Sequence, residues 1–341
     1  MLILGIESTC DETAAAVVAG GIAVRSNVIA SQVDLHAKYR GVVPEIASRA
    51  HIENILPVVE DAMRIAGIGF GDLDAVAVAH RPGLIGSLLI GVTAAKTLAW
   101  ALQKPLVGVD HVHAHLYSVA LETGVDVPMP AVGLVCSGGH TALYRVNSFL
   151  DVTLIGSTID DAVGEAYDKV AHILGLGYPG GPVIDRLSAQ GNPRAIPFPR
   201  SRLQRDSLDF SFSGLKTSVL YHVRGFAGKE RDQSLLSELE ITDIAASFQA
   251  ACVDVLVEKV GRAARQIGAR SVIVGGGVSA NRGLRAAMAT FGLPVFFPPM
   301  QYCTDNAAMT AGLAAVLLNA GRTSGLDLDA IPFSQFLEAA R

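Results

Sequence analysis

Leu2-Ile3-Leu4-Gly5-Ile6-Glu7 is an apolar segment of strand length, and the small polar turn of residues 8–12 follows it directly. Residues 13–18 and 22–30 are two further segments of strand length, with Gly20 and Gly21 between them. Short apolar segments separated by turns of small polar residues are typical of neighbouring strands. The sequence therefore predicts a meander of three strands at the start of the chain.

The pattern of strand, small-residue loop and strand occurs a second time, in residues 131–146. The loop of this second copy is Ser137-Gly138-Gly139-His140, where the first copy has an acidic turn. Aligned on their glycines, the copies match at four positions: Gly5 with Gly133, Thr13 with Thr141, Ala14 with Ala142, and Val18 with Val146. A unit that recurs in each half of a chain indicates two related lobes with a duplicated core.

The composition is that of a globular α/β protein. Half of the 341 residues are apolar and 17% are charged, which is sufficient for two domains with their own cores. Thirty-five glycines indicate many tight turns, as in nucleotide-binding proteins. The net charge of −5 excludes a protein that is basic all over, so a contact with RNA needs a local patch. The best candidate for such a patch is the segment from Arg194 to Lys216, which also contains Arg200, Arg202 and Arg205, although a solvated face is the simpler interpretation.

The sequence predicts a cytoplasmic protein that does not span a membrane. The amino terminus has no positively charged segment and reaches Glu7 too soon for a secretory signal. Residues 84–95 are apolar, but Lys96 ends the stretch before it is long enough to cross a bilayer. We expect a helix of residues 84–102 that is apolar nearly all round and lies inside the protein. The four cysteines have no paired spacing, which is typical of reduced thiols.

Three histidines follow the apolar strand of residues 105–109. Asp110 is a good N-cap for a helix that begins at His111. His111 and His115 then lie four residues apart on one face, close enough to hold one metal ion, while His113 points elsewhere. Two neutral imidazoles favour zinc or iron over magnesium and require a carboxylate ligand as well. The alternative is a helix start whose histidines are hydrogen-bonded in the core.

Carboxylates that could complete such a site occur at two places in the chain. Asp305 lies at the start of a terminal helix and is the natural third ligand, although it is equally suited to cap that helix. The turn after the first strand is unusually acidic, with Glu7, Asp11 and Glu12. It is either a solvated turn or a loop that handles a phosphate-bearing ligand through a cation or positions a proton acceptor.

Three glycine-rich stretches are typical of nucleotide-binding loops. Ser137-Gly138-Gly139 has backbone N–H groups that can approach phosphate or carboxylate oxygens. Residues 175–182 contain four glycines and two prolines, and the last proline can start a helix that carries Asp185. The strand of residues 271–274 leads into a glycine-rich turn and a helix. The spacing of a Rossmann site is absent, so the sequence predicts only a generic nucleotide site.

Eight motifs occur in order along nearly the whole chain. They are Gly5 to Thr13, Pro44 to His51, His111 to His115, Ser137 to Thr141, Gly164 to Lys169, Phe210 to Lys216, Gly275 to Asn281, and Cys303 to Asn306. This series resembles that of the TsaD family, the bacterial tRNA N6-adenosine threonylcarbamoyltransferases that were once labelled O-sialoglycoprotein endopeptidases. The ordered series makes the resemblance far more specific than any single motif.

The resemblance implies a two-lobed α/β fold similar to the actin, heat-shock protein 70 and hexokinase (ASKHA) superfamily, in agreement with the duplicated core. We expect residues 1–110 to form the N-terminal lobe, completed by the terminal helix of residues 305–325. Residues 111–304 are expected to form the C-terminal lobe with the nucleotide loops, and the site to lie in the cleft between the lobes.

The resemblance also assigns site residues. It implies that His111, His115 and Asp305 hold one divalent metal ion per subunit, with iron expected and zinc as the alternative. It implies that the adenylate is bound by Val135, Cys136, Ser137, Gly138, Gly139, Asp168, Gly181, Asp185 and Asn281. Asp11 and Glu12 are the predicted catalytic residues, as proton acceptor or substrate orienter.

The implied reaction transfers a threonylcarbamoyl group from threonylcarbamoyl-AMP to N6 of the adenosine just 3′ of the anticodon, with release of AMP. The substrates are tRNAs that read codons beginning with A. The resemblance implies two protein partners, an inactive paralogue (TsaB) and an ATPase (TsaE), and no membrane.

Three other functions fit parts of the sequence. A zinc metallopeptidase needs a general base such as the glutamate of HExxH, but Val112 and Ala114 lie between the histidines here. A sugar or acyl kinase of the same fold accounts for the loops but needs no histidine-bound metal, because magnesium on phosphates prefers oxygen ligands. A non-enzymatic scaffold has no use for the metal residues.

Overall fold

A computed structural model describes residues 1–39, 41–201, 203–204, 206–225 and 236–332. The strands are β1 (Leu2–Glu7), β2 (Glu12–Ala19), β3 (Ala23–Ser31), β4 (Ala75–Arg81), β5 (Leu106–Asp110), β6 (Ala131–Cys136), β7 (Thr141–Ser148), β8 (Asp151–Ser157), β9 (Ser271–Gly275) and β10 (Val295–Phe296). The helices are α1 (Val33–Ala37), α2 (Pro44–Ala66), α3 (Ile85–Leu102), α4 (His111–Tyr117), α5 (Val163–Ile173), α6 (Gly180–Ser188), α7 (Ser213–Arg224), α8 (Glu238–Ile267), α9 (Arg282–Met288) and α10 (Ala307–Asn319). The fold is α/β, as predicted.

The contacts divide the chain into two compact units. The first comprises Met1–Asp126, Ser148–Val152 and the described residues from Pro298 onward, and the second comprises Val127–Asn147 and Thr153–Phe297. The boundary expected after residue 110 therefore lies further along the chain. Its position follows from the packing of α4 against α10, because that contact keeps the histidine helix in the first unit.

The two units repeat one sheet topology. The strand order is β3-β2-β1-β4-β5 in the first and β8-β7-β6-β9-β10 in the second. In each sheet the central strand is antiparallel to one neighbour and parallel to the other. The registers agree as well, since Gly5 pairs with Ala16 and Gly133 pairs with Tyr144. The duplicated core that the aligned glycines predicted is confirmed.

The first sheet packs between two layers of helices. α2 and α3 cover one face around Leu4 and Ile6, and α4 and α10 cover the other around Ile3. Gly5 permits a close approach of α10, because a Cβ atom there would lie 2.8 Å from the backbone nitrogen of Ala311. This contact holds the first turns of α10 beside β1, where the candidate site is built.

The expectation that the apolar helix lies wholly inside is wrong for α3. Leu88 and Val92 belong to the core, but Ile85, Leu89 and Trp100 are exposed, Trp100 with 64% of its surface accessible. The helix is apolar on both faces, so its composition could not show which face meets the sheet. Among the described residues it is the one helix long and apolar enough to cross a membrane, yet it packs on β4 and α2.

Two cations of the predicted basic patch form ion pairs in the second unit. Arg200 pairs with Asp254, and Lys216 pairs with Asp161, so two of the three described cations of the predicted patch are engaged in ion pairs. Arg202 and Arg205 lie outside the described residues. The solvated face that was the simpler interpretation of residues 194–216 is compatible with these pairs.

Candidate active site

The histidine helix begins as the sequence predicted. Asp110 ends β5, and its Oδ1 accepts hydrogen bonds from the backbone N–H groups of Val112 and His113, at 3.0 and 3.1 Å. Its Oδ2 accepts one from Nε of Arg81 at 3.2 Å. The cap fixes the start of α4, which places His111 and His115 one turn apart. The α-helix ends at Tyr117 and continues as the 3₁₀ turn Ser118–Ala120.

His111, His115 and Asp305 come together in the first unit. Each offers one ligand atom, and the three atoms lie within 4.8 Å of one another. Nε2 of His115 is 3.0 Å from Oδ1 of Asp305, and Nε2 of His111 is 3.7 Å from the same oxygen. Both imidazoles are buried, and Nδ1 of His115 is buried with no hydrogen-bond partner among the described residues. The helix start is therefore not a set of fully hydrogen-bonded core histidines.

Asp305 does not cap the terminal helix; the next residue, Asn306, does. Oδ1 of Asn306 accepts a hydrogen bond from the backbone N–H of Met309 at 3.1 Å, which makes Asn306 the N-cap of α10. The carboxylate of Asp305 lies beside the imidazoles instead. Two imidazole nitrogens and one carboxylate oxygen are a donor set that suits iron or zinc, so the residues present fit a metal ion.

Glu7, at the end of β1, contacts this group. The side chain is fully buried, with Oε2 3.0 Å from Nδ1 of His111. Oε1 accepts a hydrogen bond from the backbone N–H of Thr9 at 2.8 Å, and the Thr310 hydroxyl donates to Oε2 at 3.3 Å. The sequence singled out Glu7 as part of an acidic turn but not as a neighbour of the histidines. The available signal was the second copy, which has Val135 at the matching strand position.

The site carries an excess of negative charge. Burial opposes protonation of the His111 ring, but the charges of Glu7 and Asp305 outweigh it and raise the pKa of His111 to about 9. Burial, followed by the charges of Asp305 and Asp11, raises the pKa of Glu12 to about 10. Anionic groups that raise one another's pKa values form a favourable place for a cation.

The acidic turn is not a solvated loop. Asp11 and Glu12 are half-buried. His51 in α2 holds both ends of the turn, because its Nε2 donates to the backbone oxygen of Cys10 at 3.0 Å and its Nδ1 lies 2.7 Å from the Thr13 hydroxyl. The turn is therefore anchored to α2 at a fixed position.

The predicted nucleotide residues all lie in the second unit. The loop after β6 is closed by two hydrogen bonds between Ser137 and His140, of 2.8 and 3.1 Å, and leaves Gly138 and Gly139 exposed. No heavy atom lies within 4 Å of a Cβ built on either glycine. The side chains of Val135 and Cys136 are buried, so these two residues can offer only backbone groups to a ligand.

Asp168, Asp185 and Asn281 are tied together by contacts that the sequence did not reveal. Oδ1 of Asp168 accepts from the backbone N–H of Gly180, at the start of α6, at 2.7 Å. Within α6, Asp185 accepts from Gln249 Nε2 at 3.3 Å, and Gln249 in turn accepts from Asn281 Nδ2 at 2.7 Å. Gln249 was missed, although a glutamine in the buried stripe of α8 is itself a signal.

Three further contacts describe the surroundings of the predicted nucleotide residues. A Cβ built on Gly181 meets no heavy atom within 4 Å, so the backbone there is open to approach. Lys169 pairs with Glu165 and Asp161, at 2.8 and 2.7 Å, as expected of a salt-bridged helix surface. Ser137 also contacts α5, because a Cβ on Gly164 would lie 2.5 Å from its backbone oxygen.

A family model described as tRNA N6-adenosine threonylcarbamoyltransferase, TsaD, matches residues 23–312. The chain belongs to the TsaD family. A relative from Moorella thermoacetica with that name is 54% identical over 338 residues, which cover 97% of this chain and 96% of the relative. Another from Syntrophotalea carbinolica, with the same name, is 51% identical over 334 residues, or 97% and 95% of the two chains. This TsaD family member is therefore a transferase that modifies tRNA.

Solved structures show the fold that the TsaD family member shares. Full-length HypF in a phosphate- and nucleotide-bound form aligns with a TM-score of 0.59 at 15% identity, over 97% of this chain and 47% of HypF. Component A of the (R)-2-hydroxyglutaryl-CoA dehydratase of Acidaminococcus fermentans aligns with a TM-score of 0.54 at 13% identity, over 93% and 98% of the chains. At these identities the likeness concerns the fold alone, and it confirms the ASKHA-like fold.

Proposed function

We propose that this enzyme transfers the threonylcarbamoyl group of threonylcarbamoyl-AMP to N6 of the adenosine 3′ of the anticodon, in tRNAs that read codons beginning with A. The observation that carries the proposal is the 54% identity to a relative named tRNA N6-adenosine threonylcarbamoyltransferase, over 97% of this chain. AMP is released, and a divalent metal ion assists. The reaction takes place in the cytoplasm.

The chemistry is an acyl transfer from a mixed anhydride to a weakly nucleophilic amine. The N6 nitrogen forms a bond to the carbamoyl carbon, the bond from that carbon to the phosphate oxygen breaks, and AMP leaves with the electron pair. One proton departs from N6. The protein must therefore bind the adenylate, stabilise charge on the carbonyl and on the departing phosphate, and accept the proton.

His111, His115 and Asp305 would hold the metal ion. Their convergence supports this assignment, because Nε2 of both imidazoles lies within 3.7 Å of Oδ1 of Asp305. When bound, the ion supplies Lewis-acid chemistry and orients oxygens of the threonyl or phosphate group. Two imidazoles and a carboxylate suit both iron and zinc, and membership of the TsaD family makes iron the expected ion and zinc the alternative.

Asp11 or Glu12 would accept the proton from N6 or orient the substrate. Glu12, whose pKa is raised to about 10, would serve as acceptor only when the charge of the bound metal ion keeps it ionised. The anchoring of the acidic turn by His51 supports a fixed position for both carboxylates. Asp11→Asn and Glu12→Gln, each measured in a single turnover, separate the two. An unchanged rate would exclude the residue that was replaced.

The second unit would bind the adenylate. Gly138 and Gly139 are exposed and carry no side chains, so phosphate oxygens can approach their backbone. The backbones of Val135, Cys136, Ser137 and Gly181 flank the phosphate or ribose in this proposal, with the side chains of Asp168, Asp185 and Asn281. The hydrogen bonds through Gln249 support a preformed position for Asp185 and Asn281.

The paralogue TsaB and the ATPase TsaE are the proposed protein partners. The outward sides of α2 and α3, which pack on each other, expose Ile52, Leu56, Ile85, Leu89 and Trp100. A paralogue of the same fold has a matching pair of helices, and two such apolar faces can bury each other. We therefore assign TsaB to this helical face.

Assays with defined donors and acceptors test the proposed function. Nucleosides of an unmodified tRNA are analysed by mass spectrometry after incubation with the protein, TsaB, TsaE and threonylcarbamoyl-AMP. We expect threonylcarbamoyladenosine and an equal amount of AMP, and no product when the target adenosine is replaced by guanosine. Phosphorylation of a small acceptor from ATP, with no modified nucleoside, would favour the kinase instead.

A further inference from the structure

Glu7 occupies a buried position at which the fold does not require a charge. The two sheets share one register, in which Glu7 pairs with Ala14 and Val135 pairs with Ala142. The second copy thus builds the same strand end with valine. A carboxylate is expensive to bury unless its oxygens are hydrogen-bonded, so its presence in β1 calls for a specific role.

The two oxygens of the Glu7 carboxylate have different hydrogen-bond partners. Oε1 is engaged by the backbone N–H of Thr9 at 2.8 Å. Oε2 lies 3.0 Å from Nδ1 of His111 and accepts from the Thr310 hydroxyl at 3.3 Å. The Thr9 hydroxyl lies 3.2 Å from the same ring nitrogen. A carboxylate can only accept, so in the neutral ring, the form that binds a metal ion, the proton of His111 belongs on Nδ1. Nε2, on the side of Asp305, then keeps its lone pair.

We propose that Glu7 is the positioning residue of the metal centre, which holds His111 in the tautomer and ring orientation that present Nε2 as a ligand. The inference rests on the metal site of the proposed function. A carboxylate that accepts from the distal N–H of a ligating histidine fixes the ring and raises its basicity, and loss of such a partner weakens metal affinity about 10–100-fold.

Glu7 also connects the three elements that carry the site. It ends β1, contacts α4 through His111, and contacts the first turns of α10 through Thr310. Asp305 directly precedes α10. One side chain therefore sets the distance between the imidazole of α4 and the segment that supplies the carboxylate ligand.

Glu7→Gln is the informative substitution because it keeps the shape of the side chain. An amide has one acceptor oxygen, whereas Glu7 presents one oxygen to Thr9 and the other to His111. If the amide oxygen stays on Thr9, its NH₂ group faces Nδ1 of His111. The Nδ1 proton then loses its carboxylate acceptor and keeps only the Thr9 hydroxyl, at 3.2 Å. The tautomer with its proton on Nε2, which blocks the ligand position, is therefore favoured over the one in wild type.

The test measures Zn²⁺ affinity by competition with a chromophoric chelator, without any transfer assay. We expect Glu7→Gln to weaken Zn²⁺ binding 10–100-fold in the full-length protein. His111→Ala leaves two of the three ligands and a weaker Zn²⁺ site, measured at higher Zn²⁺ concentration. In that background Glu7→Gln should alter the residual affinity less than about twofold, since Glu7 acts through the His111 ring. An unchanged affinity, or an equal loss in both backgrounds, would overturn the proposal.

Two controls separate positioning from folding. Glu7→Val imports the residue of the second copy, and we expect it to fold and to lose Zn²⁺ affinity like Glu7→Gln. If neither variant folds without metal, as judged by circular dichroism, the role is structural and the proposal fails. In ¹⁵N-histidine spectra of the Zn²⁺-bound protein, we expect the His111 proton on Nδ1; a proton on Nε2 would contradict it.

The outcomes distinguish this inference from the metal site itself. Loss of Zn²⁺ in His111→Ala with full retention in Glu7→Gln would leave the site standing and remove the positioning role. A wild-type protein that does not bind Zn²⁺ or Fe²⁺ would overturn both.

Discussion

Nε2 of His115 lies 3.0 Å from Oδ1 of Asp305, although the two residues are 190 positions apart in the sequence. The contact depends on α10, which packs against both α4 and β1. Asp305, which directly precedes the last described helix, thus completes a site that begins with the two histidines after β5. The metal centre is therefore a property of the folded first unit rather than of any single motif.

Substitutions of the adjacent residues Asp305 and Asn306 should have different effects, the first on metal binding and the second on stability. Asn306→Ala removes the cap of α10 and is expected to lower the free energy of unfolding by about 0.5–2 kcal/mol while metal content is kept. Asp305→Asn should weaken metal binding at least about tenfold, because it removes a charged ligand. Urea unfolding and metal analysis of both variants check the pair. Loss of metal in Asn306→Ala alone would contradict the assignment.

Gly276 and Gly139 should respond oppositely to alanine. Gly276 has φ +84°, and a Cβ atom there would collide with the backbone oxygen of Cys136. We expect Gly276→Ala to destabilise the fold by about 1–3 kcal/mol. Gly139→Ala meets no neighbouring atom, so the fold should be unchanged while AMP affinity falls if a phosphate approaches that backbone. Thermal unfolding and AMP titration distinguish the two effects.

Gln249 should affect AMP binding although the proposal gives it no contact with AMP. Gln249→Glu places a second carboxylate against Asp185, and like charges repel, so we expect AMP affinity to fall about tenfold. Gln190→Glu makes the same chemical change at an exposed position and serves as the control. Equal AMP affinities of the two variants, measured by calorimetry, would contradict the bridging role.

Acid should destabilise the first unit through His51. Burial lowers the pKa of His51 below its usual value of about 6.5. Below about pH 6.5 the unfolded chain therefore takes up a proton that the folded state does not, and stability is lost as the pH falls toward the folded-state pKa. His51→Gln should show a smaller loss of unfolding free energy between pH 7.5 and 5.5 than wild type. The exposed His172→Gln serves as control and should match wild type.

The exposed apolar side chains of α2 and α3 should be required for the binding of TsaB. Leu56 on α2 is 61% exposed, and Leu56→Lys is expected to weaken TsaB binding about tenfold or more, because a charge replaces an apolar contact. Leu239→Lys, at an equally exposed leucine of α8 in the second unit, should bind TsaB like wild type. Sedimentation of the mixtures measures both. Self-association of the chain without TsaB would assign the face to a second copy instead.

Much of the fold could be predicted because its signals are local. Short apolar segments between small-residue turns predicted both hairpins, and the alignment of Gly5 with Gly133 predicted their common register. The cap at Asp110 predicted where α4 begins. Each of these features depends on residues that are neighbours in the sequence.

The remainder depends on contacts between distant residues. Glu7 and His111 lie 104 positions apart, and nothing near either residue indicates their hydrogen bond. Gln249 bridges side chains of two other helices for the same reason. The exposed face of α3 was missed because the helix is apolar on every side, and only its packing partners decide which face is covered.

The most direct test of the account is the single-turnover rate of threonylcarbamoyl transfer to tRNA in wild type, His111→Ala, Asp305→Ala and His113→Ala. His113 is on the same helix but outside the metal group, so it is the matched control. We predict that the first two variants lose metal and transfer together, while His113→Ala retains both. Transfer at the wild-type rate by folded, metal-free His111→Ala or Asp305→Ala would contradict the central claim.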